Sequence, residues 1–141
     1  MKIRQAIHSD SDSISELMVQ LGYEVSPDLI LENIKVIAKS KTDAVFVAED
    51  ESKVVGVISC HLTKLFHQTG YAGRITSLIV DRNSRGQNLG KQLVAEAEAF
   101  FIANHCLKSE VTSGDPRIVA HEFYRSCGYK EDERRFIKEF S

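Results

Sequence analysis

The stretch LIVDRNSRGQNLGKQLVAEAEAFF, residues 78–101, joins an apolar run to a helix through a turn crowded with positive charge and backbone freedom. Leu89, Leu93, Ala97, Phe100 and Phe101 recur at helical spacing and predict a helix over 88–104 with those residues inward. GRITSLIV (73–80) is rich in β-branched residues and predicts a strand. Between them stand two arginines, two glycines, asparagine and Lys91. A helix N-terminus presents unpaired N–H groups and about half a positive charge, so amides converging there form an anion site, most often for phosphate. Gly86 and Gly90 allow a backbone approach that a Cβ would block. Asn88 belongs to the few residue types that tolerate left-handed geometry. Lys91 opposes the helix dipole unless a polyanion is bound beside it. The competing reading is a solvated turn with chance basic residues.

Spacing excludes two nucleotide motifs. A Walker A loop needs GxxxxGK[ST]; Gly86 to Gly90 is one residue short, and Gln92 occupies the hydroxyl position. The dinucleotide GxGxxG is absent.

Outward from this stretch the elements follow in order. KIRQA (2–6) reads as a short strand. Ser9 or Asp10 can cap a helix through Leu21, with Ile14, Leu17, Met18 and Leu21 on one face and Gly22 ending it. Ser26-Pro27 is an N-cap followed by Pro at N1, predicting a helix to about Ser40 with Ile30, Ile34, Ile37 and Ala38 inward. AVFVAE (44–49) and VVGVISCHL (54–62) form a hairpin pattern around DESK. CLKSEVTS (106–113) reads as a strand. PRIVAHEFYRSCG (116–128) reads as a helix begun by Asp115-Pro116 and stopped by Gly128. YKED and RRFIKEF read as a final pair of strands. The order β-α-α-β-β-β-α-β-α-β-β predicts an α+β, three-layer α/β/α arrangement around a mixed sheet.

The 141 residues fit one domain over 1–141 with a real core. Hydrophobic content of 43%, charged content of 27% and a net charge of −2 describe an ordinary soluble chain and argue against a nucleic-acid partner. No apolar run reaches membrane-spanning length, and MKIRQAIHSD has no secretory apolar core. Cys60, Cys106 and Cys127 form no CxxC pair, which suits reduced thiols in a cytoplasmic protein.

The loop resembles the acyl-CoA-binding motif [Q/R]-x-x-G-x-[G/A] of the GCN5-related N-acetyltransferase (GNAT) superfamily. Arg85, Asn88 and Gly90 fall on the defined positions, with Asn88 replacing the central glycine. RIVAHEFYRSCGY (117–129) is similar to the family's late helix pattern R-x-x-A-H-x-F-Y-x-x-x-G-[FY], matched at Arg117, Ala120, His121, Phe123, Tyr124, Gly128 and Tyr129. The motif-specific part is 73–129; element order extends the likeness over the whole chain.

The resemblance implies a mostly antiparallel central sheet whose strand before the loop splays from the next, leaving a V-shaped gap. Pantetheine would pair with the strand end at Leu78, Ile79 and Val80, like an added strand. The pyrophosphate would sit on Arg85, Gly86, Gln87, Asn88, Leu89, Gly90 and Lys91. The implied reaction is direct acetyl transfer from acetyl-CoA, as co-substrate, to a primary amine of a small molecule or peptide, with no metal. A strand amide near Ile79 would donate to the carbonyl oxygen as it gains charge. Tyr124 would protonate the leaving thiolate; on residues alone it is equally a core aromatic. The first two helices would wall the acceptor side, and paired strand edges would allow a homodimer.

The general base is not assigned by sequence. Related proteins often carry Glu or Asp on the strand that here reads RITSLIV; this chain has Thr76 and Ser77. Either hydroxyl could hold a water that relays a proton to a distant group. His61, His67 and Glu110 are candidates, each with a structural reading beside it, and His121 reads as packing or capping. HEFYR lacks the second histidine of HExxH, and Cys127 reads as a packed thiol. The missing carboxylate keeps open a second function, a non-catalytic acyl-CoA-binding sensor or interaction module.

Overall fold

The computed structural model describes residues 1–112, 118–132 and 135–140. Three antiparallel strands form its middle: β2 (Asp43–Asp50), β3 (Lys53–Lys64) and β4 (Tyr71–Val80). β1 (Lys2–Gln5) adds antiparallel to β2, and β5 (Cys106–Val111) adds parallel to β4. The sheet order is β1-β2-β3-β4-β5. A parallel neighbour needs a crossover, and α3 (Leu89–Ala103) supplies it.

Helices cover both faces. α1 (Ser11–Leu21) and α2 (Pro27–Ala38) lie on one, where Ile14, Leu17 and Ile34 pack against Val47, Val57 and Ile79. α3 lies on the other, with Leu93, Ala97 and Phe101 against Phe46, Ile58 and Ile75. Each such fully buried side chain contributes roughly 1.5–3 kcal/mol. Phe101 lies so close to β4 that a Cβ on Gly73 would sit 2.4 Å from its ring. α4 (Ile118–Ser126) follows β5 and turns out through Gly128 at φ 93°. The mixed, mostly antiparallel three-layer architecture is therefore as the sequence predicts.

The caps are mostly local and readable. Ser26 accepts from the Leu29 N–H at 3.2 Å, Pro27 opens α2, and Gly22 ends α1 at φ 101°. Asp10 differs from expectation: its side chain makes no cap bond to α1. It is buried instead, accepting from the Arg4 guanidinium at 2.8 and 2.9 Å and from the Ile7 N–H at 2.7 Å. Burial pushes its carboxyl up, but the bonds from Arg4 and Ile7 outweigh that and hold it below the usual range.

One prediction is corrected at the C-terminal end. The final strand pair is not formed in 130–132 and 135–140, where no strand is present. Phe136 and Phe140 are 92% and 90% exposed, so pairing there would bury little to offset the ordering of the chain. The fourth helix begins at Ile118 among the described residues; its expected Asp115-Pro116 start lies outside them, as does Arg117.

The sheet opens within β4. Pairing with β5 runs from Tyr71 to Ile75, opposite Val111, and stops. Pairing with β3 continues to Val80, with one slip: Cys60 faces Ile75 and Ser59 faces Ser77, leaving Thr76 as an extra residue. Ile75 and Leu78, three apart, both pack on the α3 side, while Ile79 packs on the α1/α2 side. Thr76 is thus a β-bulge, which bends a strand and increases its twist.

Candidate active site

Beyond Ile75, β4 has one bare backbone edge among the described residues. The Asp81 N–H bonds back to the Val55 carbonyl at 2.8 Å. By the alternation of an antiparallel strand, Ile79 then directs its N–H toward β3, and Leu78 and Val80 direct theirs into the gap. The N–H groups that face the gap near Ile79 are therefore those of Leu78 and Val80, not that of Ile79 itself.

The chain leaves β4 through a 3-10 turn at Arg82–Ser84, fixed by the Asp81 carboxylate accepting from the Asn83 N–H. Arg85, Gly86, Gln87 and Asn88 are exposed. Gly86 sits at φ 87° and Asn88 at φ 64°, both in the left-handed region. Asn88 precedes α3 but gives it no side-chain cap bond. The first internal bond runs from the Gln92 N–H to the Asn88 carbonyl, so the N–H groups of Leu89, Gly90 and Lys91 lack helical partners. No acidic residue stands in this first turn. The result is a ring of uncapped amides at the positive end of a helix, with Arg85 and Lys91 at its rim. Such a cradle fits a phosphate.

Three loop residues have duties beyond those expected. The Leu89 side chain is buried, so what it offers the loop is its N–H. A Cβ on Gly90 would lie 3.0 Å from the Phe123 ring, so the missing side chain also makes room for α4. Arg85 donates from Nε to the Val80 carbonyl at 3.3 Å, tying the loop to the bare edge.

Tyr124 is half-buried on α4, its ring edge-on to Phe123 and Tyr129 at 5.3 and 6.2 Å between centroids. The Tyr129 hydroxyl bonds Ser109 at 2.6 Å and Glu98 at 2.8 Å, bracing α3 against β5. Burial pushes Tyr129 well above the tyrosine range, opposed by Ser109 and reinforced by Glu98. The thiols suit packing. Burial pushes Cys60 up to about 12, with Asp43 and Glu96 adding to it, and burial also raises Cys127.

On the α1/α2 face, beside the bulge, four polar side chains meet. Asp43 Oδ1 lies 2.6 Å from His61 Nδ1, His61 Nε2 lies 2.7 Å from Thr76 Oγ1, and Thr76 Oγ1 lies 2.7 Å from Ser59 Oγ. Sequence reasoning named His61 and Thr76 separately and missed Asp43. His67 is exposed in the loop between β3 and β4. Glu110 is paired with Lys108 at 2.9 Å and Arg74 at 3.8 Å.

The family model for "Acetyltransferase (GNAT) family" matches residues 11–129. This chain belongs to that family. It is 30% identical over 142 residues to the aminoalkylphosphonate N-acetyltransferase of Salmonella typhimurium, covering 97% of this chain and 90% of that one. Its structure resembles glucosamine-6-phosphate N-acetyltransferase from Arabidopsis thaliana at TM-score 0.84 and 27% identity, covering 99% and 98%. It shares a fold with aminoglycoside N-acetyltransferase AAC(6')-Iy in complex with CoA at TM-score 0.87 and 17% identity, covering 99% and 93%. The GNAT membership accounts for the open sheet and for acetyl transfer as the class of activity. Among the described residues, no helix is long and apolar enough to cross a membrane.

Proposed function

We propose that this protein is an N-acetyltransferase that moves an acetyl group from acetyl-CoA to the primary amine of a small molecule by direct attack in a ternary complex. The observation that carries this reading is the juxtaposition of the bare β4 edge over 76–80 with the uncapped amides at the start of α3. An extended, amide-containing chain ending in a pyrophosphate matches both at once. The names of two relatives, one acting on aminoalkylphosphonate and one on glucosamine 6-phosphate, support a small-molecule acceptor over a peptide.

Each residue then has a task. Arg85 and Lys91 hold the pyrophosphate with the amides of 89–91. The gap-side N–H groups of Leu78 and Val80 orient the thioester and donate to its oxygen as charge develops. Tyr124, half-buried on α4 next to the Phe123 ring that packs at Gly90, gives a proton to the departing thiolate. Acetyl-CoA supplies the activated acyl group. α1 and α2 wall the acceptor on the far face.

Calorimetry with acetyl-CoA, CoA and ATP tests the cradle, and thiol release over 2-aminoethylphosphonate, glucosamine 6-phosphate, an aminoglycoside and a lysine peptide tests the transfer. CoA species should bind far better than ATP, and at least one small amine should release thiol. Equal binding of ATP overturns the cofactor assignment. Tight acetyl-CoA binding without thiol release on any amine replaces the enzyme with a binding module.

A further inference from the structure

A lysine-like amine has a pKa of about 10.4, so roughly one molecule in a thousand is neutral at pH 7. Transfer needs a proton acceptor, and the strand on which related proteins often carry a carboxylate has Thr76 and Ser77 in this chain. Resting on the acetyltransferase reading, we propose that Asp43, His61 and Thr76 form a relay that deprotonates the acceptor amine, with Thr76 Oγ1 touching the amine and His61 holding its proton.

The hydrogen-bond directions follow from the donor inventory. Asp43 Oδ2 accepts from Ser40 at 2.6 Å and Thr42 at 3.0 Å, leaving Oδ1 for His61. Burial pushes the Asp43 carboxyl up, but the bonds from Ser40, His61 and Thr42 outweigh this and hold it below the usual range. An ionised carboxylate only accepts, so the imidazole proton resides on Nδ1. Neutral Nε2 is then an acceptor, and Thr76 O–H donates to it. With that proton committed, Ser59 O–H donates to Thr76 Oγ1. One lone pair of Oγ1 remains, on an exposed side chain at the residue where β4 parts from β5. Leu78, with its gap-side N–H, lies two residues on, about 7 Å along the strand.

The proton inventory closes. An ammonium N–H breaks as Thr76 Oγ1 takes the proton, while the original Thr76 proton moves to His61 Nε2. Thr76 ends unchanged, and the imidazolium is paired with Asp43. The neutral amine attacks the thioester carbon, a C–N bond forms, and the C–S bond breaks. Tyr124 gives its proton to the thiolate, the second amine proton restores the Tyr124 hydroxyl, and His61 releases the first to solvent. Among the described residues, the charged group across the strand pair from His61 is Arg74, which is itself paired with Glu110 beside Lys108. α1 and α2 turn Ile14, Leu17 and Ile34 to this face, and their charged residues Asp12, Glu16, Asp28, Glu32 and Lys35 are exposed.

The test combines pH-rate profiles with NMR on the intact protein. With acetyl-CoA and the best amine of the panel above, H61Q and T76V should lose about 10²–10³ in kcat at pH 7. Both should recover most of it near pH 10, where the amine is neutral without help. T76S should stay near wild type, and acetyl-CoA affinity should be unchanged in all three. ¹⁵N spectra of the resting protein should show His61 protonated on Nδ1, with that preference weakened in D43N. H61Q turning over like wild type at pH 7, or losing the same factor at every pH, overturns the relay; so does an Nε2–H tautomer. A wild-type protein that transfers to no amine, yet shows the Nδ1–H tautomer, overturns the acetyltransferase reading instead.

Discussion

The two halves of β4 do different work with the same strand. Over 71–75 it is enclosed by β3 and β5, with Phe101 pressed on Gly73 and Ile75 buried. Over 76–80 it keeps β3 and loses β5, yet Ile79 remains buried at 5%. Among the described residues, the open half therefore bares one row of backbone groups while Ile79 stays in the core. A binding edge built this way is held by a core, which a loop of equal length would not provide.

That contrast can be broken first in the enclosed half. Gly73→Val should cost about 3 kcal/mol of stability, because the Phe101 ring has nowhere to retreat in a packed core. Urea melts measure it, and a cost under about 1 kcal/mol would mean that α3 can shift. In the open half, Tyr124→Phe should lower kcat about 100-fold with acetyl-CoA affinity retained; unchanged turnover removes Tyr124 as the acid. Lys91→Glu should weaken acetyl-CoA by about 1–3 kcal/mol, read by calorimetry, with stability barely affected. The smallest effect concerns Asp43. Its folded value is depressed, so its stabilisation is present above the ordinary carboxylate value of about 4 and is lost as pH falls below it. Asp43→Asn should be less stable than wild type by under about 1 kcal/mol at pH 7, since the side chain is 30% exposed, and the difference should shrink as pH falls below about 4.

What was legible in the chain was local. The Ser26-Pro27 start, the Gly22 stop and the left-handed Asn88 each depend on a few neighbouring residues. The relay depends on register, which two bulges set. Asp50 faces Lys53 at the hairpin turn, and that register continued evenly would place Cys60 opposite Asp43. The slip between Ala48 and Glu49 brings His61 there instead. The second bulge sets Thr76 on the same face. The first lies at Val55–Gly56, where an isolated strand glycine is a local signal for it; the second, at Thr76, has no glycine beside it. Gly90 shows a different limit: its lack of a side chain is evident in sequence, but the ring that requires it belongs to a helix 33 residues away.

The extra residue at 76 is also separable from the rest of the design. Without it, Ile75 and Leu78 would be two apart and would still share a face, and Ser77 would still stand opposite Ser59. A three-base deletion would thus yield an evenly pleated strand with its apolar complement intact. An evenly pleated β4 and the bulged one therefore differ here by a single amino acid, the one whose hydroxyl meets His61 and Ser59.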